Sequence, residues 1–147
     1  MTLVKGDFPA DRLHAPLLMG LLFRQVRDEF ATEDWKGLRQ SHFRVLSMVP
    51  DQGVSITELG ERVGMTKQGC GQFVTQLVAN GHLRVAARPD DRRVRVVRRT
   101  SKADRVLAAV RDRNLAIEQG WSERVGADRY AVFREVLDEL ALGTLPE

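Results

Sequence analysis

Gln68, Gln72, Thr75 and Gln76 recur three and four residues apart, the spacing that lines side chains along one face of a helix. Such an array suits one kind of chemistry. A glutamine amide carries a donor and an acceptor in one plane and can pair with an adenine edge in a major groove, while a threonine methyl can touch the thymine methyl. Thr66 and Lys67 open the same stretch, the first as a cap and the second as a cation within reach of a phosphate. Beyond them, Arg84, Arg88, Arg92, Arg93, Arg95, Arg98 and Arg99 face only Asp90 and Asp91, a local balance of +5 in a chain whose net charge is +3. Arg92 and Arg93 are placed to enter a narrow minor groove, and Arg88 and Arg95 to hold phosphates beside it. Two plainer readings stand beside these. The glutamine face is also what an ordinary solvated helix shows, and charged hairpins often serve to protect a sheet edge.

Other chemistries find little support. There is no glycine-rich phosphate loop, no nucleophile beside a plausible base and no convincing acid–base pair of carboxylates. Asp90 and Asp91 read as a hairpin turn with local ion pairs. The chain is expected not to be an enzyme, and to need no cofactor. Cys70 is the single cysteine, which excludes an internal disulfide, and His14, His42 and His82 are too scattered for a metal cluster. The longest apolar run, Ala15 to Phe23, is far short of the roughly 20 residues that span a bilayer. No secretory signal is visible in MTLVKGDFPADR. A cytoplasmic protein without membrane partners is expected.

The elements that must position these residues follow from periodicity. Leu17, Leu18, Leu21, Leu22, Val26 and Phe30 predict an amphipathic helix from near Asp11, with Pro16 in its opening turn. His42, Val45, Leu46 and Val49 predict a second, from about Arg39 to Pro50. After the loop PDQGV, Ser55 and Glu58 form an S-x-x-E capping box before Ile56, Leu59 and Val63. Gly64 closes that short helix and Thr66 caps the next, in which Cys70, Phe73, Val74 and Leu77 face inward. Two helices so closely joined make a helix-turn-helix. Leu83 to Arg88, the turn RPDDRR, and Val94, Val96 and Val97 then predict a β-hairpin. Thr100 or Ser101 caps a helix bearing Val106, Val110, Ile117 and Trp121, and a last helix from about Ala127 carries Phe133, Val136, Leu137 and Leu140. The fold class is mainly α with a small β-hairpin wing.

At PDDRRVRVVRRTSKA the chain resembles the MarR (multiple antibiotic resistance regulator) transcription factors. Asp91, Arg93 and Thr100 match the family's wing signature, whereas Arg99 stands where leucine is usual and Ala103 where glycine is usual. MTKQGCGQFVTQLVANGHL is similar to the family's recognition-helix segment, with Gly69 and Gly71 each weakening a helix by roughly 1 kcal/mol relative to alanine. The resemblance implies a single MarR-like chain over 1–147, with a winged helix-turn-helix at 38–100 and helical dimerisation regions at 10–32 and 101–145. It further implies a homodimer that binds double-stranded DNA at a palindromic operator as a regulator, usually a repressor, and responds to a small aromatic or anionic effector. Phe23, Trp35 and His42 could line an effector pocket or simply pack a core, and Cys70 reads as a buried small hydrophobe. The competing expectation is a protein-interaction module that keeps this fold without operator recognition.

Overall fold

A computed structural model describes residues 3–143; the first two residues and positions 144–147, including the end of the expected C-terminal region, lie outside them. The chain divides into two compact units, Met1–Lys36 and Gly37–Glu147.

In the first unit, the short 3-10 helices Lys5–Asp7 and Ala10–Arg12 precede α1, Ala15–Phe30. The helix therefore starts later than Asp11. From Asp11, Pro16 would fall in the second turn, where it lacks a donor and its ring meets the carbonyl of Arg12. A start at Ala15 puts it in the first turn, where neither matters. At the other end Trp35 packs on Phe30, ring centroids 5.3 Å apart, and its indole N–H donates to the Phe30 carbonyl.

The second unit runs α2 (Gln40–Ser47), α3 (Ile56–Val63), α4 (Lys67–Ala79), β1 (Leu83–Ala87), β2 (Arg95–Arg99), α5 (Ser101–Val125) and α6 (Ala127–Leu142). Val45, Leu46, Val49, Val54, Leu59, Cys70, Leu77, Leu83 and Val97 are its most buried side chains. The periodic positions of α2, α3 and α4 thus converge on one core, and Val49 joins it although α2 ends two residues earlier.

Ser55 Oγ accepts from the Glu58 N–H at 3.2 Å, but the capping box is only half made. The Glu58 carboxylate turns instead to the Arg88 guanidinium, 3.3 Å away on the hairpin. Gly64 ends α3 at φ 71°, a left-handed conformation that a β-carbon resists, and Thr66 Oγ1 accepts from the Gly69 N–H at 3.0 Å to start α4. The strands pair antiparallel with Leu83 opposite Arg99 and Val85 opposite Val97. The second strand is set one residue later than Val94, because Val94 closes the hairpin turn by accepting from the Arg88 N–H at 2.8 Å.

The loop after α2 adds a third strand position. Val54 and Val97 exchange both backbone hydrogen bonds, at 3.1 and 2.9 Å. Thr100 Oγ1 caps α5 by accepting from the Ala103 N–H. Beyond it α6 folds back on α5, where Glu118 accepts from Tyr130 at 2.6 Å and from Arg134 at 2.5 Å. No helix among the described residues is long and apolar enough to cross a membrane.

Candidate nucleic-acid interface

The helix period decides what α4 shows. Cys70, Val74 and Leu77 are buried on one side, which leaves Lys67, Gln68, Gln72, Thr75 and Gln76 exposed on the other. Thr66 is exposed too, with its hydroxyl oxygen already serving as the cap. Thr75 donates its hydroxyl to the Gly71 carbonyl at 2.9 Å, so its proton is committed while its methyl stays free for a partner. Gln68 and Gln72 are the amides at the centre of the face. Gln76 stands at its edge, where its carbonyl oxygen lies 3.2 Å from His42 Nε2.

The two unusual glycines differ. A β-carbon at Gly69 would sit 3.1 Å from Thr66 Oγ1, crowding the cap, whereas one at Gly71 would meet nothing within 4 Å. Gly69 is thus explained by the turn. Nothing in the structure explains Gly71.

On the hairpin, the arginines fall into two groups. Arg92 and Arg95 are exposed, and Arg93, with its side chain 93% exposed, approaches Asp91 at 3.4 Å. Its backbone N–H also donates to Asp91, which shapes the turn. Arg88 is more enclosed, paired with Glu58 at 3.3 Å and near Asp90 at 4.0 Å. A phosphate would have to compete with those carboxylates. Such half-exposed pairs contribute about 0–1 kcal/mol each, so the competition is weak.

Arg98 and Arg99 are engaged within the fold instead. Arg98 donates twice to the Asp51 carbonyl, at 3.2 and 3.1 Å. Arg99 donates to the Val49 carbonyl, to the Asp51 carboxylate and, at 2.8 Å, to Asp104. Asp104 foremost, then Asp51, holds its guanidinium above the ordinary value against the cost of burial. The residue that stands in place of leucine thus ties the end of the hairpin to the loop after α2 and to the start of α5. The links to Val49 and Asp51 join residues about fifty positions apart, so no local pattern announces them.

Arg99 also lines a cavity of about 490 Å³ between α2, β2 and α5, with Ser47, Asp104, Arg111, Asn114 and Glu118 among its walls. Phe23, Trp35 and His42 are not among the lining residues. Cys70 is fully buried, and burial pushes its thiol up, away from the reactive thiolate.

His82 was not singled out by the sequence pattern, yet it is only 3% exposed and its Nδ1 has no hydrogen-bond partner. Burial foremost, then Lys102 and His42, lowers its pKa from the ordinary 6.5. Below that value the unfolded chain takes up a proton that the folded chain resists, so stability is full above about pH 6.5 and falls as the pH drops. Thermal unfolding should therefore show a midpoint that decreases on acidification through this range. His82→Leu is expected to flatten that decrease; an unchanged slope would assign it to other groups.

Comparison with known proteins places this geometry. Residues 36–94 match the model of the MarR family. An uncharacterised protein of Mycobacterium tuberculosis is 26% identical over 130 residues, covering 88% of this chain and 89% of that protein. Among solved structures, the PcaV transcriptional regulator of Streptomyces coelicolor in complex with its natural ligand superposes with a TM-score of 0.69 at 24% identity, over 96% of this chain and 97% of that one. CouR of Rhodococcus jostii RHA1, bound to p-coumaroyl-CoA, gives 0.69 at 20% identity over 90% and 92%.

Proposed function

We propose that this chain, whose residues 36–94 match the MarR family model, is a sequence-specific DNA-binding transcriptional regulator. The observation that carries the reading is the exposed polar face of α4, its glutamines and threonine with Lys67 at one end, lying in the same compact unit as the arginine hairpin. A helix with such a face suits the major groove, and a cationic hairpin beside it suits the phosphates and the adjacent minor groove. Gln68, Gln72, Thr75 and Gln76 read bases; Thr66, Lys67, Arg88 and Arg95 hold the backbone; Arg92 and Arg93 form the wing tip.

The regulator acts as a homodimer. Leu115 on α5 and Val132, Phe133, Val136 and Leu140 on α6 are exposed, Leu140 by 81%, and an apolar surface of that kind is normally covered by a partner. A two-fold dimer would present its recognition helices to half-sites about 10 base pairs apart, hence a palindromic operator. Repression by occupying that operator is the simplest mode of action. The cavity beside Arg99 and Arg111 has the size of a small-molecule site; with Asp104 already on Arg99, the exposed Arg111 is the cation left for an anionic effector. Two of the structurally similar regulators hold small ligands, in keeping with release by an effector.

The test is binding of the full chain to duplexes from its own upstream region and to random duplexes over a range of salt. Neutralised phosphates release counterions, so log K is expected to fall with log salt by about 0.9 per phosphate contacted, with the specific duplex retained at moderate salt. Equal affinity for both duplexes would refute operator recognition and leave the protein-interaction module.

A further inference from the structure

His42 is a buried histidine, 6% exposed, in the first turn of α2. Its ring meets that of Phe73 edge-on, centroids 5.1 Å apart, and both ring nitrogens have partners. The Arg39 backbone N–H donates to Nδ1 at 3.0 Å, and Nε2 lies 3.2 Å from Gln76 Oε1. A backbone N–H can only donate, so Nδ1 must offer a lone pair and the proton of the neutral ring must sit on Nε2. From there it donates to the Gln76 carbonyl. The opposite setting of the Gln76 amide would place two donors face to face. The start of α2 therefore dictates which end of an exposed glutamine on α4 is turned inward.

We infer that His42 is a specificity-determining positioning residue: it donates to the Gln76 carbonyl oxygen, turns that oxygen inward and so presents the Gln76 amide group outward as a hydrogen-bond donor. This rests on the reading of α4 as a recognition helix. A glutamine with both ends available pairs with adenine, giving a proton to N7 and accepting one from N6. A glutamine held by its carbonyl favours an edge with acceptors only, and guanine, with N7 and O6, offers two such acceptors where thymine offers O4 alone. Cytosine, which offers an amino donor there, is disfavoured. Gln76 thus reads guanine in preference to adenine, a distinction its residue type alone does not make.

Selection of bound duplexes from a random pool by the full-length chain tests this. The base pair governed by position 76 is identified as the symmetric pair at which Gln76→Ala loses its preference. The wild-type chain is expected to favour guanine there over adenine by roughly fivefold or more. Gln76→Glu changes only an exposed side chain, accepts the same proton from Nε2 and turns an acceptor outward, so it should switch the preference to cytosine. His42→Phe keeps a ring against Phe73, frees the Gln76 carbonyl and should raise adenine to at least the level of guanine.

Adenine favoured by the wild-type chain, or a preference that Gln76→Glu leaves unchanged, would overturn the inference. A wild-type chain without sequence preference would overturn the recognition-helix reading and the inference with it. The tautomer itself is read without DNA. Nitrogen-15 spectra are expected to show the His42 proton on Nε2 and a change in that signal in Gln76→Ala. A proton on Nδ1 would overturn the inference whatever the DNA result.

Discussion

Arg92→Ala combined with Arg93→Ala is expected to weaken operator binding by roughly 30- to 10⁴-fold while leaving thermal stability close to that of the parent. The range follows from about 1–3 kcal/mol for each well-placed arginine–DNA contact, summed over two. Stability should hold because both side chains are exposed and, among the described residues, the ion pair they make is the short-range one between Arg93 and Asp91, a contact of about 0–1 kcal/mol. If both arginines meet phosphates, the loss should be uniform across sequences and the salt dependence should flatten by about two contacts. If they enter a narrow minor groove, the loss should be greatest for duplexes with A·T pairs beside the half-site. A loss below about threefold on every duplex would remove the wing tip from the interface.

Gly53→Val is expected to destabilise the protein by roughly 2–6 kcal/mol, a large part of the 5–15 kcal/mol that holds a typical domain together. Two costs combine, each about 1–3 kcal/mol. Gly53 has φ +90°, a conformation in which a β-branched residue is strained. Its absent β-carbon would also lie 3.1 Å from the Val97 carbonyl oxygen, 3.0 Å from Val96 Cγ2 and 2.9 Å from Arg98 Cγ, an overpacking that the neighbours must relieve. Relief means parting Val54 from Val97, hence loosening the hairpin from the loop that follows α2. Denaturant unfolding measures the loss. A change below about 1 kcal/mol would show that this third strand position contributes little.

These two variants divide what was legible from what was not. Arg92 and Arg93 announce themselves, because a run of arginines in a two-residue alternation with valines is a local pattern. Gly53 does not. The segment PDQGV reads as a turn and nothing more, and only its backbone pairing with Val97, more than forty residues on, gives its glycine a duty. The same holds for Glu58. Spacing assigns it to a capping box, yet in the folded chain an arginine thirty residues away takes its carboxylate.

The helix starts and stops were written locally: Ser55, Gly64, Thr66 and Thr100 all serve as expected, since caps act on the nearest turn. Periodicity likewise assigned Cys70, Val74 and Leu77 to the core and the glutamines to the surface, because a helix has one buried face and the apolar side chains must take it. The sequence by itself therefore determined the elements, their order, and the buried and exposed faces of the recognition-helix candidate α4. Which end of Gln76 is offered, which arginines are already engaged and what Arg99 does in place of leucine were decided by tertiary structure alone. Hydrogen bonds and ion pairs are directional and short in range, so they depend on which distant residues folding brings within about 3 Å, and a one-dimensional pattern carries no such distances.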